Sequence, residues 1–145
     1  MTNKNVAESL KVALADSYIL YLKTQNYHWN VTGPHFKSYH AMFEEQYNDL
    51  FQAVDLIAER IRAIGQRAPG SFEKFSKITN IQEGNEELDA ESMVKELAED
   101  QNIIVLSLSK TLKAAQDIGD EVTAGIVIDR IEVHQKNAWM LKSSL

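Results

Sequence analysis

The chain has 145 residues, of which 44% are apolar and 25% charged, an ordinary composition for a globular protein that suits one domain over residues 1–145. It contains no cysteine, which excludes disulfides and thiolate metal sites, and its formal charge of −6 opposes binding to the phosphate backbone of nucleic acids. Because residues 1–5 lack an apolar signal core and no apolar run approaches the roughly 20 residues that span a bilayer, we expect a cytoplasmic protein outside the membrane.

The first half of the chain is predicted to form a helical hairpin. Apolar residues spaced by threes and fours predict a first helix from about Val6 to Thr32 and a second from about Phe36 to Ile64. Gly33 and Pro34 lie between them and cannot continue a helix. The two helices should therefore run antiparallel.

The second half supplies two more long helices after a long link. This link, Gly65 to Asp89, contains a short predicted helix from Ser71 to Ile78. Asp89 can cap a third helix that runs to about Asp117, and Asp120 can cap a fourth that reaches nearly to residue 145. The link is long enough to run back along a helix of roughly 39 Å, so the second and third helices can be parallel. These features predict an all-α, ferritin-like four-helix bundle with a short extra helix in the long crossover between the second and third helices.

Two histidines lie at matching positions on the predicted hairpin. His28 precedes Pro34 by six residues and His40 follows it by six, so the two should lie at one level on neighbouring helices. Glu44 follows His40 by four residues, one turn further along the same face. Imidazole and carboxylate together suit a borderline cation such as iron, zinc or manganese. Taken alone, the two histidines are also explained as caps at the ends of the hairpin.

Asp55 and Glu59 form a second pair of candidate ligands on the second helix. Asp55 lies fifteen residues beyond His40, which is roughly 22 Å along one helix, so one ion cannot touch both. Either Asp55 and Glu59 belong to a charged face that pairs with nearby arginines or a neighbouring chain, or a second copy lies antiparallel along this helix and completes the site. A two-fold axis places a second copy antiparallel in this way and makes two equivalent sites. Phe51, within the same stripe, favours a surface that meets another chain.

A set of fixed residue types runs through the first two helices: His28-Trp29-Asn30-Val31, Gly33, Phe36, His40 and Asp55-x-x-Ala58-Glu59-Arg60-Ile61. With the closing Trp139-Met140-Leu141, this pattern resembles the signature of the Dps proteins (DNA-binding proteins from starved cells), the mini-ferritins. The resemblance implies a four-helix subunit, a hollow dodecamer built from two-fold dimers, and an iron site between subunits that oxidises Fe(II). It also implies iron storage as a ferric mineral and protection against oxidative stress.

The resemblance and the spacing together give a hypothesis for each site residue. Asp55 and Glu59 would hold the first Fe(II) with a histidine of the two-fold partner, while the other histidine and Glu44 help to hold a second. Two iron ions would each give one electron to hydrogen peroxide, so that no hydroxyl radical escapes. Trp29, next to His28, would take up a stray oxidising equivalent. The simpler interpretation of Trp29 is an aromatic side chain packed between helices.

Three acidic residues cluster around the start of the fourth helix, namely Asp117, Asp120 and Glu121. The resemblance implies acidic pores on three-fold axes in this region, through which Fe(II) would be drawn electrostatically. Helix capping and pairing with the helix dipole explain the same residues equally well. Gly125 stands where many family members have another aspartate, which weakens the pore hypothesis.

A metal centre inside one bundle is not expected. Ferritin-like di-iron centres of that kind use Glu-x-x-His motifs on two helices, and the nearest approach here is Glu132-x-His134. His35 and His134 are therefore predicted to be ordinary surface or core residues. The absence of an internal motif agrees with a site at a subunit interface.

Two other functions compete with the ferroxidase. The first is a DNA-compacting nucleoid protein with iron oxidation secondary. Direct DNA binding should be weak or absent, because Lys4 is the only lysine before the first helix and residues 142–145 form no lysine-rich arm. The second is a helical bundle without metal that serves as a scaffold.

Overall fold

Residues 3–145 are described by a computed structural model, in which they form five α-helices and no strand. The predicted all-α class is confirmed, as is the short helix inside the long crossover. The helices are α1 (Lys4–Asn30), α2 (Phe36–Ala63), α3 (Phe72–Ile78), α4 (Ala90–Asp117) and α5 (Glu121–Lys142).

The helix ends lie within two residues of the predicted ones. The prediction carried α1 to Thr32, but Val31 takes an extended conformation with ψ of 140° and buries its side chain, so the helix ends at Asn30. Gly33 then adopts a φ of 118°, a conformation that disfavours side chains with a Cβ. This glycine is what allows the tight turn of the hairpin.

Both aspartates predicted as N-caps have that role. Asp89 accepts a hydrogen bond from the Ser92 backbone N–H at 2.8 Å, and Asp120 accepts one from the Thr123 N–H at 3.0 Å. Each side chain satisfies one of the N–H groups that a helix start leaves without an intrahelical partner.

Side-chain contacts establish the directions of the long helices. Contacts from α1 move backward along α4 as α1 advances, and the pairs are Ser9 with Thr111, Asp16 with Ser107, and Lys23 with Asp100. The stacked His28 and His40 likewise join the end of α1 to the start of α2. Because α2 and α4 both run antiparallel to α1, they are parallel to each other, as the long crossover predicted.

The apolar face predicted for α2 points into the bundle. Phe43, Leu50, Ile57 and Ile61 are at most 1% exposed, and they pack with buried residues of the other helices in one core. Burying a side chain of this kind contributes roughly 1.5–3 kcal/mol. A neighbouring stripe of α2 carries the candidate ligands, of which Glu44, Asp55 and Glu59 are exposed.

A buried carboxylate fastens the crossover to the bundle. Asp16 is fully buried and accepts hydrogen bonds from the Thr79 hydroxyl, the Asn80 backbone N–H and the Ser107 hydroxyl, at 2.7, 2.7 and 2.5 Å. These bonds hold the segment after α3 against α1 and α4.

No helix within residues 3–145 is both long and apolar enough to cross a membrane.

A polar layer crosses the middle of the bundle around His134. Arg130 donates to both carboxylate oxygens of Asp49 at 3.0 and 2.8 Å and to Nε2 of His134 at 3.0 Å. His134 Nδ1 donates to the side-chain oxygen of Gln101 at 2.7 Å. Burial first, and then the charge of Arg130, lower the pKa of His134 from 6.5 to about 3. His134 is therefore neutral in the folded subunit over the physiological range.

Acid should destabilise the subunit through His134. Below about pH 6.5 the unfolded chain binds a proton at this residue, whereas the folded chain does not bind it until about pH 3. The stabilising contribution is thus complete above pH 6.5 and is lost as the pH falls, by up to about 1.4 kcal/mol per pH unit. Urea unfolding of wild type and His134→Gln should show a difference in stability that narrows between pH 7 and pH 4. His35→Gln, at an exposed histidine, is the control, and a pH-independent difference for His134→Gln would contradict the prediction.

Candidate metal centre

His28 and His40 meet where the sequence places them, on either side of the hairpin turn. His28 lies in the last turn of α1 and His40 in the first turns of α2. Their rings stack with centroids 3.7 Å apart and an interplanar angle of 14°. The equal spacing from Pro34 therefore corresponds to a direct contact between the two imidazoles.

Two reciprocal hydrogen bonds set the orientation of this pair. Nδ1 of His28 lies 2.7 Å from the backbone oxygen of His40, and Nδ1 of His40 lies 2.7 Å from the backbone oxygen of His28. A carbonyl oxygen only accepts, so each Nδ1 carries a proton, and in the neutral form of the ring the lone pair is on Nε2. A metal-binding histidine is commonly oriented in this way, through a bond from its other nitrogen.

The end of α1 explains why one of these bonds forms. The last four carbonyl groups of an α-helix lack intrahelical partners, and the His28 carbonyl is among them because α1 ends at Asn30. The His40 ring satisfies this carbonyl. The helix end and the ligand orientation therefore depend on the same contact.

Glu44 completes a cluster of three possible ligands. One nitrogen from each histidine and one oxygen of Glu44 all lie within 4.8 Å of one another, and His28 Nε2 is 3.7 Å from the Glu44 carboxylate. His28 is 6% exposed, whereas the Glu44 side chain is 54% exposed. Two imidazoles and one carboxylate with open coordination positions are typical of non-haem Fe(II) sites.

Two aromatic residues hold the histidine pair from either end. Phe36 stacks on His40 at 4.9 Å, and Tyr47 meets His28 edge-on at 5.2 Å. By its spacing alone, four residues after Phe43 and three before Leu50, Tyr47 would be assigned to the apolar face of α2. Its position three residues after Glu44 and seven after His40 was the signal that it shares their face.

Asp55 and Glu59 do not join this cluster within the subunit. They lie on the unbroken helix α2, roughly 22 Å or more along its axis from His40, and both are exposed. They also do not pair with the neighbouring arginines, because Arg60 contacts Asp120 and Arg62 donates to the Gln66 carbonyl. Within the described part of the chain, both carboxylates are without an ion pair.

Apolar and aromatic side chains surround Asp55. Tyr18, Tyr21, Phe51 and Val54 line an open groove with it, between α1 and α2. The Phe51 side chain is 64% exposed in the subunit. A carboxylate beside exposed aromatic surface is typical of an interface rather than of a purely solvated face.

Trp29 is not packed between the helices of its own subunit. It is 60% exposed and follows His28 at the end of α1. The packing interpretation of this residue therefore does not apply within one chain.

The acidic residues at the start of α5 differ in their surroundings. Asp120 caps α5 and also accepts hydrogen bonds from the Thr123 hydroxyl and from Arg60, at 2.6 and 3.2 Å. Burial alone would raise the pKa of Asp120, but the bonds from Thr123 and the charge of Arg60 hold it below its usual range. Asp117 and Glu121 are exposed. Asp117 also forms an ion pair with Lys113 at 3.4 Å, so Glu121 alone of the three has a carboxylate without a hydrogen bond or ion pair within residues 3–145.

The comparisons with known proteins agree with this architecture. A family model described as a ferritin-like domain matches residues 7–145. The chain is 36% identical over 143 residues to DNA protection during starvation protein 2 of Bacillus anthracis, covering 99% of this chain and 98% of that protein. Together with the bundle and its long crossover, these matches define a protein of the ferritin-like class.

Two solved structures narrow the class. The Dps of Staphylococcus aureus superposes with a TM-score of 0.96 at 35% identity, covering 99% of this chain and 97% of that one. The Dps of Vibrio cholerae, described as a member of a broad superfamily of ferritin-like diiron-carboxylate proteins, superposes with a TM-score of 0.93 at 33% identity, covering 97% and 89%. The chain belongs to the Dps family.

Asp120 should act mainly through helix capping. Replacing it with alanine removes the cap and the partner of Arg60, which should lower the free energy of unfolding by roughly 1–2 kcal/mol. Asparagine removes the same charge but caps a helix equally well, so Asp120→Asn should retain most of this stability. Urea unfolding distinguishes the two variants. Equal stability of Asp120→Ala and wild type would contradict a capping role.

Proposed function

We propose that this protein is a ferroxidase, which oxidises Fe(II) with hydrogen peroxide at sites shared between two subunits. The ferric product is stored inside a hollow dodecamer in the cytoplasm, and removing Fe(II) and peroxide together protects the cell from oxidative damage. The observation that carries the proposal is the incomplete ligand set of His28, His40 and Glu44, with two further unpaired carboxylates on the same rigid helix. Iron is the substrate of this reaction.

The ligand chemistry favours Fe(II) as that substrate. Neutral imidazoles and carboxylates together suit borderline divalent cations, and the chain has no thiolate to offer a softer ion. Relatives support the same conclusion, since the Vibrio cholerae Dps is described as belonging to the diiron-carboxylate proteins. The name of the Bacillus anthracis relative supports a protective function.

A two-fold dimer supplies the missing ligands. In an isologous contact, the α2 helix of a second copy would lie antiparallel to α2 of the first, bringing the copy's Asp55 and Glu59 to the histidine pair. The same contact would cover Phe51 and the groove beside Asp55, both of which are open in the single subunit. One interface therefore accounts for the exposed aromatic surface and for the incomplete site.

The proposed reaction balances with two iron ions. Each Fe(II) gives one electron, and hydrogen peroxide takes up both electrons with two protons as its O–O bond breaks, forming two water molecules. Asp55 and Glu59 hold one Fe(II) with a histidine of the partner, and the second histidine and Glu44 help to hold the other. Trp29, exposed beside the site, takes up an oxidising equivalent that escapes this reaction.

Direct DNA binding is not part of the proposal. The formal charge of −6 opposes contact with phosphates, and every subunit added to an assembly adds the same negative charge. Glu121, with an exposed and unpaired carboxylate, and Asp117, whose exposed carboxylate also meets Lys113, are the residues around the start of α5 that would attract Fe(II) electrostatically.

Mixed assemblies test the shared site. His28→Ala and Asp55→Ala subunits should each be inactive alone, since every site lacks one ligand. In a mixed dimer, one site combines the intact histidines of one chain with the intact acids of the other. Random co-assembly from equal amounts should therefore restore roughly a quarter of the wild-type ferroxidase activity, because half of the dimers are mixed and each has one intact site.

The matched control combines two variants with lesions in the same half of the site. Co-assembled His28→Ala and His40→Ala subunits should remain inactive, because every site then lacks one histidine. Restoration in this control would show that mixing itself restores activity. No restoration in the His28→Ala and Asp55→Ala mixture, with co-assembly confirmed by mass spectrometry, would contradict a site shared between subunits.

Iron titration separates the ferroxidase from a scaffold without metal. Fe(II) added anaerobically and followed by hydrogen peroxide should give ferric absorbance that saturates at two iron ions oxidised per peroxide, and the same titration with oxygen shows which oxidant is preferred. His40→Ala should lose this activity, whereas His35→Ala, at an exposed histidine outside the cluster, should retain it. Oxidation no faster than in protein-free buffer would overturn the proposed function.

A further inference from the structure

The imidazole of His40 is stacked on both faces. The His28 ring stacks on it with centroids 3.7 Å apart at an interplanar angle of 14°, and the Phe36 ring stacks on it with centroids 4.9 Å apart at 27°. Phe36 and His28 make no ring contact with each other within residues 3–145, so they lie on opposite faces of His40. His40 is therefore held between two rings, one from each side.

The hydrogen bond of His40 does not by itself fix the plane of the ring. This bond joins a single ring atom, Nδ1, to the His28 carbonyl at 2.7 Å. The torsion that turns a histidine ring has a broad energy profile, so the ring tilts about such a contact unless its faces are held. His28 holds one face, and Phe36 is the residue that holds the other. The direction of Nε2, the nitrogen that is free to bind a cation, depends on this tilt.

Phe36 does not belong to the core of the subunit. Its side chain is 42% exposed, whereas Phe43, two turns further along α2, is fully buried in the core. The stack on His40 is the one ring contact that Phe36 makes within the described part of the chain. The core therefore does not depend on an aromatic ring at this position.

The hairpin turn sets the position of Phe36. It is the first residue of α2, and its backbone N–H donates to the Gly33 carbonyl at 3.1 Å. His40 follows four residues later, which is one helical turn along the same face. The turn that brings α1 against α2 thus also places the Phe36 ring against His40.

A bound cation strengthens a stack of this kind. The cation draws electron density from the imidazole that binds it, which gives the imidazole ring a partial positive charge. The face of a phenyl ring is negative and attracts positive charge. The stack with Phe36 therefore stabilises the metal-bound form of His40 more than the free form.

We propose that Phe36 is a positioning residue for His40, which holds the imidazole in the orientation that binds Fe(II) and stabilises the metal-bound ring. This inference rests on the proposed ferroxidase function. Loss of the stack should weaken metal binding roughly two- to five-fold, the range expected for a cation–π contact at an exposed site. Because the stack acts on bound iron before and during the reaction alike, the KM for Fe(II) should rise while kcat stays near its wild-type value.

Replacing the phenyl ring tests this role in the assembled protein. Phe36→Leu removes the ring but keeps an apolar side chain, and Phe36→Tyr keeps the ring. Each variant is titrated with Co(II), whose visible absorption reports affinity and coordination geometry without any oxidation of iron. Phe36→Leu should bind Co(II) roughly two- to five-fold more weakly and with altered absorption bands, and Phe36→Tyr should restore both. The initial rate of iron oxidation, measured against Fe(II) concentration, then gives KM and kcat.

Phe72→Leu is the matched control. Phe72 is also an exposed phenylalanine at the start of a helix, but its ring contacts Tyr18 rather than a histidine. Phe72→Leu should bind Co(II) as wild type does. Sedimentation and urea unfolding of all variants should show unchanged assembly and stability.

The outcomes separate the role of Phe36 from the ferroxidase itself. Wild-type Co(II) binding by Phe36→Leu, an equal loss in Phe36→Tyr, or an equal loss in Phe72→Leu would each overturn the positioning role, while normal iron oxidation leaves the ferroxidase standing. If Phe36→Leu does not assemble, Phe36→Met takes its place, and failure of both would assign Phe36 to a subunit contact instead. If wild type oxidises no Fe(II) with peroxide, the ferroxidase function fails, and the positioning role fails with it.

Discussion

The rigidity of α2 is the constraint on which the proposed metal site depends. This helix runs without a break over 28 residues, roughly 42 Å, and carries His40 together with the three carboxylates of the proposed site, Glu44, Asp55 and Glu59. A helix cannot fold back on itself, so its two ends cannot contribute to one ion. Each subunit therefore offers a histidine end and a carboxylate end, and neither is a complete site. Self-association is the simplest way to complete both at once.

The hairpin turn connects the fold to the chemistry. Gly33 provides the left-handed backbone conformation that the turn needs, and the turn brings the end of α1 against the start of α2. Nδ1 of each histidine then donates to the backbone carbonyl of the other histidine. In the neutral form of each ring, this leaves the Nε2 lone pair free. The orientation of the ligands is thus a consequence of closing the hairpin.

Periodicity and turn residues predicted the helices, and the equal spacing from Pro34 predicted the contact of His28 with His40. The details that sequence spacing missed depend on side-chain packing. The helix ends before Val31, whose backbone is extended and whose side chain is buried. The ring stacking and the reciprocal hydrogen bonds require coordinates, because spacing fixes the level of a residue but not the rotation of its ring. Helical periodicity could have predicted that Tyr47 lies near the histidine pair. Its spacing from neighbouring apolar residues also fits the core face, which makes the core the simpler assignment.

The interior of the bundle agrees with a proposed metal site that lies at the surface of the subunit. Ferritin-like di-iron centres place carboxylates and histidines in the bundle core, but here Arg130 occupies the layer around His134 and brings a fixed positive charge to it. His134 cannot bind a cation in this state, because its Nε2 accepts a hydrogen bond from Arg130 and its Nδ1 proton is donated to Gln101. A cation entering this layer would have to displace the bidentate ion pair of the buried Arg130 with the half-exposed Asp49. The positive charge of Arg130 thus disfavours a cation in this layer, which agrees with a site formed by the exposed carboxylates of α2 instead.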